Sequence, residues 1–130
     1  MTFGVPLYAS IELSDIEAGT GGFAINGVSA GDESGRSVSN AGDVNGDGLD
    51  DLIVGANGDD PNGDGSGASY VVFGKSGGTT VELSDVEAGT GGFVINGGSA
   101  GDQSGFSVSN AGDINGDGLN DLIVGAPGDD

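Results

Sequence analysis

The chain of 130 residues contains no cysteine, no histidine and no tryptophan, and only two basic residues, Arg36 and Lys75. Without cysteine there are no disulfides and no thiol nucleophile, and this is neutral about compartment. Without histidine the commonest general base is missing, and with both absent so are the usual zinc ligands. With 21 acidic residues against two basic ones the net charge is −19. Nucleic acid and anionic membranes are poor partners for such a surface. It also repels itself unless cations neutralise it. No apolar run approaches membrane-spanning length, so no membrane insertion is expected. Residues 1–20 show neither a basic region nor an apolar core of the signal-peptide kind.

Glycine is what the chain has in excess, 30 residues, with three prolines beside it. Glycine every few residues disfavours long helices. Valine and isoleucine dominate the apolar residues, and β-branched side chains favour strands. The expectation is a turn-rich, all-β chain.

Residues 14–60 and 84–130 align without a gap at an offset of 70, with differences at only eight positions: Ile16/Val86, Ala24/Val94, Val28/Gly98, Glu33/Gln103, Arg36/Phe106, Val44/Ile114, Asp50/Asn120 and Asn57/Pro127. The spacing predicts one repeat over 14–83 and a truncated second over 84–130. Four short strand candidates fall within a repeat: 22–27, 37–41, 51–56 and 68–73. The run from Leu52 to Ala56 is continuously apolar, which suits a strand buried on both faces. The small residues of 37–41 suit a crowded position near a central axis. Four short antiparallel strands recurring about an axis make β-propeller blades, about two blade equivalents in this chain. Ser14-Asp15-Ile16-Glu17 has the pattern of a helix capping box, ahead of one turn at most.

The most informative segment is Asp43-Val44-Asn45-Gly46-Asp47-Gly48-Leu49-Asp50-Asp51. It recurs as Asp113-Ile114-Asn115-Gly116-Asp117-Gly118-Leu119-Asn120-Asp121. Oxygen donors stand at positions 1, 3, 5 and 9, with glycine at 6 for the sharp turn. Positions 1, 3 and 5, with the carbonyl of 7, match the first half of an EF-hand loop. The Glu that an EF-hand needs at position 12 is Val54 or Val124, inside the apolar strand. The loop is therefore expected to join two strands, with Asp51 or Asp121 closing the shell. Three carboxylates, an amide oxygen and a backbone carbonyl suit Ca2+. Magnesium would demand a tighter octahedron, and zinc or copper would want nitrogen or sulfur. The competing reading is a solvated Asx-Gly turn.

Gly35-Arg36-Ser37-Val38, the acidic loop and Asp51-Leu52-Ile53-Val54-Gly55-Ala56 resemble the FG-GAP repeat of integrin α-subunit propellers and their bacterial relatives. The second copy is closer, from Gly105-Phe106-Ser107-Val108 to Gly125-Ala126-Pro127. Neither copy opens on Phe-Gly at this place. Tyr70-Val71-Val72-Phe73-Gly74-Lys75 extends the similarity over essentially the whole chain. The resemblance implies a calcium-binding propeller, usually seven-bladed, at the cell surface or outside the cell. Its calcium ligands carry over to Asp43, Asn45, Asp47, Leu49 (carbonyl) and Asp51, and to Asp113, Asn115, Asp117, Leu119 (carbonyl) and Asp121.

Other motifs are decoys. Asp60-Pro61-Asn62-Gly63-Asp64-Gly65 starts like a third loop, but its ninth position is Ala68, so an acidic turn is expected. Gly74-Lys75-Ser76-Gly77-Gly78 fits a nucleophile elbow without a histidine to activate Ser76. Asp32-Glu33 and Asp102-Gln103 read as surface turns, because only one copy keeps both carboxylates. No catalytic residue is assigned, and the chain is not expected to be an enzyme. The expected function is a non-catalytic module for structure, adhesion or protein interaction. Its competitors are a glycan-binding propeller and an accessory domain of a secreted hydrolase. Two blades cannot close a propeller. Homo-oligomers of three or four chains, making six or eight blades, are the expected self-partners.

Overall fold

The computed structural model describes residues 10–130. One expectation lies outside the described residues: that residues 1–5, aligned with the end of the 68–73 strand, could complete the last strand pair of another copy.

In chain order the elements are α1 (Leu13–Glu17), β1 (Ile25–Asn26), β2 (Ser37–Gly42), β3 (Asp51–Ala56), β4 (Ala68–Val72), β5 (Val81–Glu82), α2 (Leu83–Glu87), β6 (Gly92–Asn96), β7 (Ser107–Gly112) and β8 (Asp121–Gly125). The architecture is all-β. Strands β2-β3-β4-β6 form one antiparallel four-stranded sheet, which is a complete propeller blade, and β7-β8 start a second. The first sheet draws its fourth strand from the second sequence repeat, so blade and repeat are out of phase. Registers match between the copies: Val38 faces Val54 as Val108 faces Val124. A bulge follows Asn40 and Asn110 in each copy, at the point where the acidic loop leaves the sheet.

The first blade buries apolar residues on both faces. On one side Val54, Ala56, Tyr70 and Val72 pack with Leu83 and Val86 of α2. On the other, Ala41, Ile53 and Val71 pack against Val108, Leu122 and Val124 of the second blade. Strand β4 is buried along its whole length, as a strand between two neighbours and two covered faces must be. In β3 the expected burial on both faces holds except at Leu52, which is partly exposed.

Two expectations are corrected. The capping box does not form. Each helix is N-capped one residue before the leucine, by Glu12 or Glu82, with no side-chain cap bond. The reason is that the chain runs extended up to Glu12 and Glu82, so the serine already lies in the first turn. In the second copy the burial of Leu83 and Val86 anchors this short helix. The 22–27 strand shrinks to two residues that pair in parallel with β5. Its mate, β6, has β4 as an antiparallel neighbour and reaches full length. No helix among the described residues is long and apolar enough to cross a membrane.

Candidate metal centre

Each acidic nonapeptide connects two antiparallel strands, β2 to β3 and β7 to β8, and so sits at the same end of each blade. The first-position aspartate organises the loop. Asp43 Oδ1 accepts the N–H groups of Gly46 (2.8 Å) and Asp47 (3.1 Å), and Oδ2 accepts that of Gly48 (2.8 Å). Gly48 has φ +89°, a conformation that lets its N–H turn back on Asp43 and that a Cβ would strain. Asn45 Oδ1 accepts the Asp47 N–H and Asp47 Oδ1 accepts the Leu49 N–H. The second copy repeats each of these bonds on Asp113, Asn115 and Asp117.

Asp51 stands apart from this ring. It is fully buried at the start of β3. Its Oδ2 accepts the Val44 N–H (2.9 Å) and its Oδ1 the Gly74 N–H (2.7 Å). Asp121 accepts the equivalent Ile114 N–H at 2.7 Å. The structure thus brings the donors at positions 1, 3 and 5 into one turn and places position 9 at its base. Among the described residues no three carboxylates close on one point as a finished cation cage; Asp43 and Asp47 are turned onto the loop's own N–H groups, and Asp51 onto those of Val44 and Gly74.

The donor chemistry fits a hard cation. A carboxylate or amide oxygen has two lone pairs. After the backbone bonds are counted, Asp43 Oδ2, Asn45 Oδ1, Asp47 Oδ1 and both oxygens of Asp51 each keep one, and the Leu49 carbonyl adds another donor. The amides also favour the charged form. At Asp113 the Gly118 N–H is the largest influence, and with those of Gly116, Asp117 and Asn115 it outweighs partial desolvation and holds the carboxyl below its usual range.

Two roles were hidden in the sequence. Asp32 and Asp102, read as surface residues, are buried: each carboxylate accepts a serine N–H (Ser29, 2.9 Å; Ser99, 2.7 Å). Burial pushes the Asp32 carboxyl up, against its Ser29 bond, and the charges of Asp59, Asp60 and Glu87 push it further. The repetition of Ser-x-x-Asp at an offset of 70 was the available signal. Tyr70 is buried, with its hydroxyl 2.7 Å from both Asp59 Oδ2 and Glu87 Oε1. No short-range pattern connects those three residues. Its burial removes Tyr70 as a stacking platform for sugars. The 60–65 segment is a turn, closed by Gly65 N–H on Asp60 and tied to Gly97 by Asn62.

The FG-GAP repeat model matches residues 34–72 and 104–130, two segments that start 70 residues apart and together span half of the chain. The chain belongs to the FG-GAP repeat family. Each FG-GAP segment begins just before the first strand of an inner pair and contains one acidic nonapeptide. Comparison with curated proteins returned no match.

Proposed function

We propose that this FG-GAP chain is a calcium-binding, integrin-like propeller module of bacterial type. It works outside the cell as a non-catalytic unit of structure, adhesion or protein interaction. The observation that carries this reading is the twice-repeated loop: in each copy the donors at positions 1, 3, 5 and 9 keep open lone pairs, on a chain of net charge −19. Asp43, Asn45, Asp47, the Leu49 carbonyl and Asp51 would hold one Ca2+. Asp113, Asn115, Asp117, the Leu119 carbonyl and Asp121 would hold the other. The ion would neutralise the carboxylates crowded into each loop and fix the hairpin connection of each inner strand pair.

Binding to the native state alone stabilises it by about 3 kcal/mol per site at a hundred-fold excess over the dissociation constant. Melting in calcium, in magnesium and in EGTA tests the reading. Calcium should raise the melting temperature well above the other two conditions. Equal melting in all three would contradict it.

A further inference from the structure

We propose that two exposed faces of this chain are the two halves of one interface, and that copies of the chain join through them head to tail into a closed ring. This goes beyond calcium binding and rests on a different observation. The interface already exists once within the chain. There, Ala41, Ile53, Val71 and Ile95 of the first blade pack against Val108, Leu122 and Val124 of the second. Ser37 Oγ donates to the Gly105 carbonyl across it (2.9 Å). The approach is so close that a Cβ on Gly55 would lie 2.0 Å from the Gly105 oxygen.

The offset of 70 puts the same chemistry on the outer faces. Val38, Leu52 and Val54, the mates of Val108, Leu122 and Val124, line an apolar groove together with Ile25, the mate of Ile95. At the other end Ile123, the mate of Ile53, stands on the outer face of β7-β8 with Ser107 and Gly125, the mates of Ser37 and Gly55. What differs is cover. Ile53 is fully buried, whereas Ile123 is 60% and Val38 65% exposed. Leu83 is fully buried, and its mate Leu13 is 76% exposed. A Cβ on Gly35, the mate of Gly105, would meet nothing within 4 Å, and one on Gly125 would meet only Ser107 of its own sheet.

A second copy placed by the same blade-to-blade rotation seats its Ile123 in the groove beside Ile25. It also brings its Ser107 to the Gly35 carbonyl. The two faces differ from each other, so the contact is heterologous, and repeating it closes a ring when the rotation fits. Each chain brings two inner strand pairs, β2-β3 and β7-β8. Three chains therefore make six blades and four make eight.

Native mass spectrometry and sedimentation of the full chain, in calcium and physiological salt, test this. The expected species is a trimer or a tetramer. Val38→Lys and Ile123→Lys each change one exposed side chain. Each variant alone should be a monomer with an unchanged far-ultraviolet spectrum. An equimolar mixture should give a heterodimer and nothing larger, because only one of its two possible contacts is intact. A wild-type monomer throughout the micromolar range overturns the proposal and leaves the two faces to flanking repeats of a longer chain. Variants that still assemble alone, or a mixture that fails to pair, overturn it too. An open ladder of sizes contradicts closure.

Discussion

The guanidinium carbon of Arg36 lies 5.0 Å from the centre of the Phe106 ring, and the two residues hold the same position in successive repeats. One of the few differences between the copies is thus a contact between them. Arg36 also donates to Glu33 at 3.0 Å, an exposed pair of little energetic weight. A cation over an aromatic face at an exposed site contributes about 0.5–1 kcal/mol. A double-mutant cycle of Arg36→Ala and Phe106→Ala, read by urea unfolding, should return a coupling in that range. A coupling of zero would show the two repeats to be independent at this point.

Asp51 has two functions that separate experimentally. Its carboxylate is buried and accepts two backbone N–H groups, from Val44 and Gly74. Asp51→Ala leaves both donors unpaired and should destabilise the chain by about 3 kcal/mol, even in EGTA. Asp51→Asn keeps an acceptor oxygen and should lose roughly half of that. Asp47→Ala, in the exposed turn, should lower stability only when calcium is present. Equal effects of Asp47→Ala and Asp51→Ala in EGTA would contradict the division.

Much of this was legible in the sequence, and the reasons are local. The run Leu52–Ala56 marked β3 because burial on both faces leaves no polar alternation, and the small residues from Ser37 marked β2, which is buried only at its Ala41-Gly42 end. The offset of 70 marked β6 as a strand, since it repeats the 22–27 candidate. The acidic nonapeptide disclosed the loop. What escaped depended on distance. Nothing near Tyr70 announces that Asp59 and Glu87 converge on its hydroxyl. At Asp32 the repeated Ser-x-x-Asp signalled the local bond to Ser29 but not the burial. The capping box failed because Ser14 and Ser84 fall two positions past the N-cap, a shift set by the extended Glu12 and Glu82.

Tyr70 makes the chain sensitive to alkali. Burial raises its phenol far above the usual range, and the neighbouring Glu87 and Asp59 carboxylates add to this. A group whose folded-state pKa is raised contributes stability below its unfolded value, and that stability is lost as pH climbs towards the folded value. The loss should therefore begin above about pH 10, where an unfolded tyrosine ionises. In Tyr8→Phe, where Tyr70 is the sole tyrosine, the phenolate absorbance should appear only together with unfolding. A smooth titration of the folded chain near pH 10 would count against this. Tyr70→Phe should remove the tyrosine part of the alkaline loss.

The two loops should bind calcium with unequal strength. Asp50 beside the first site accepts the Asn40 amide at 3.2 Å. Its mate Asn120 carries no charge and rests against Gly42, where a Cβ would lie 1.8 Å from its Nδ2. One extra negative charge several ångströms from the ion, in solvent, is worth roughly 0.5–1 kcal/mol and is screened by salt. Calorimetry of Asp117→Ala, which keeps the 43–51 site, against Asp47→Ala, which keeps the 113–121 site, should show the former binding more tightly at low salt, with a gap that narrows as salt is added. The opposite order, or a gap that widens, would contradict it.

The most direct measurement is the number of calcium ions bound per chain at saturation, by equilibrium dialysis or calorimetry. Two FG-GAP loops with the same donors at the same spacing should give two ions in the wild type, one in Asp47→Ala, one in Asp117→Ala and none in the double variant. No bound calcium, or two ions retained in the double variant, would contradict the account.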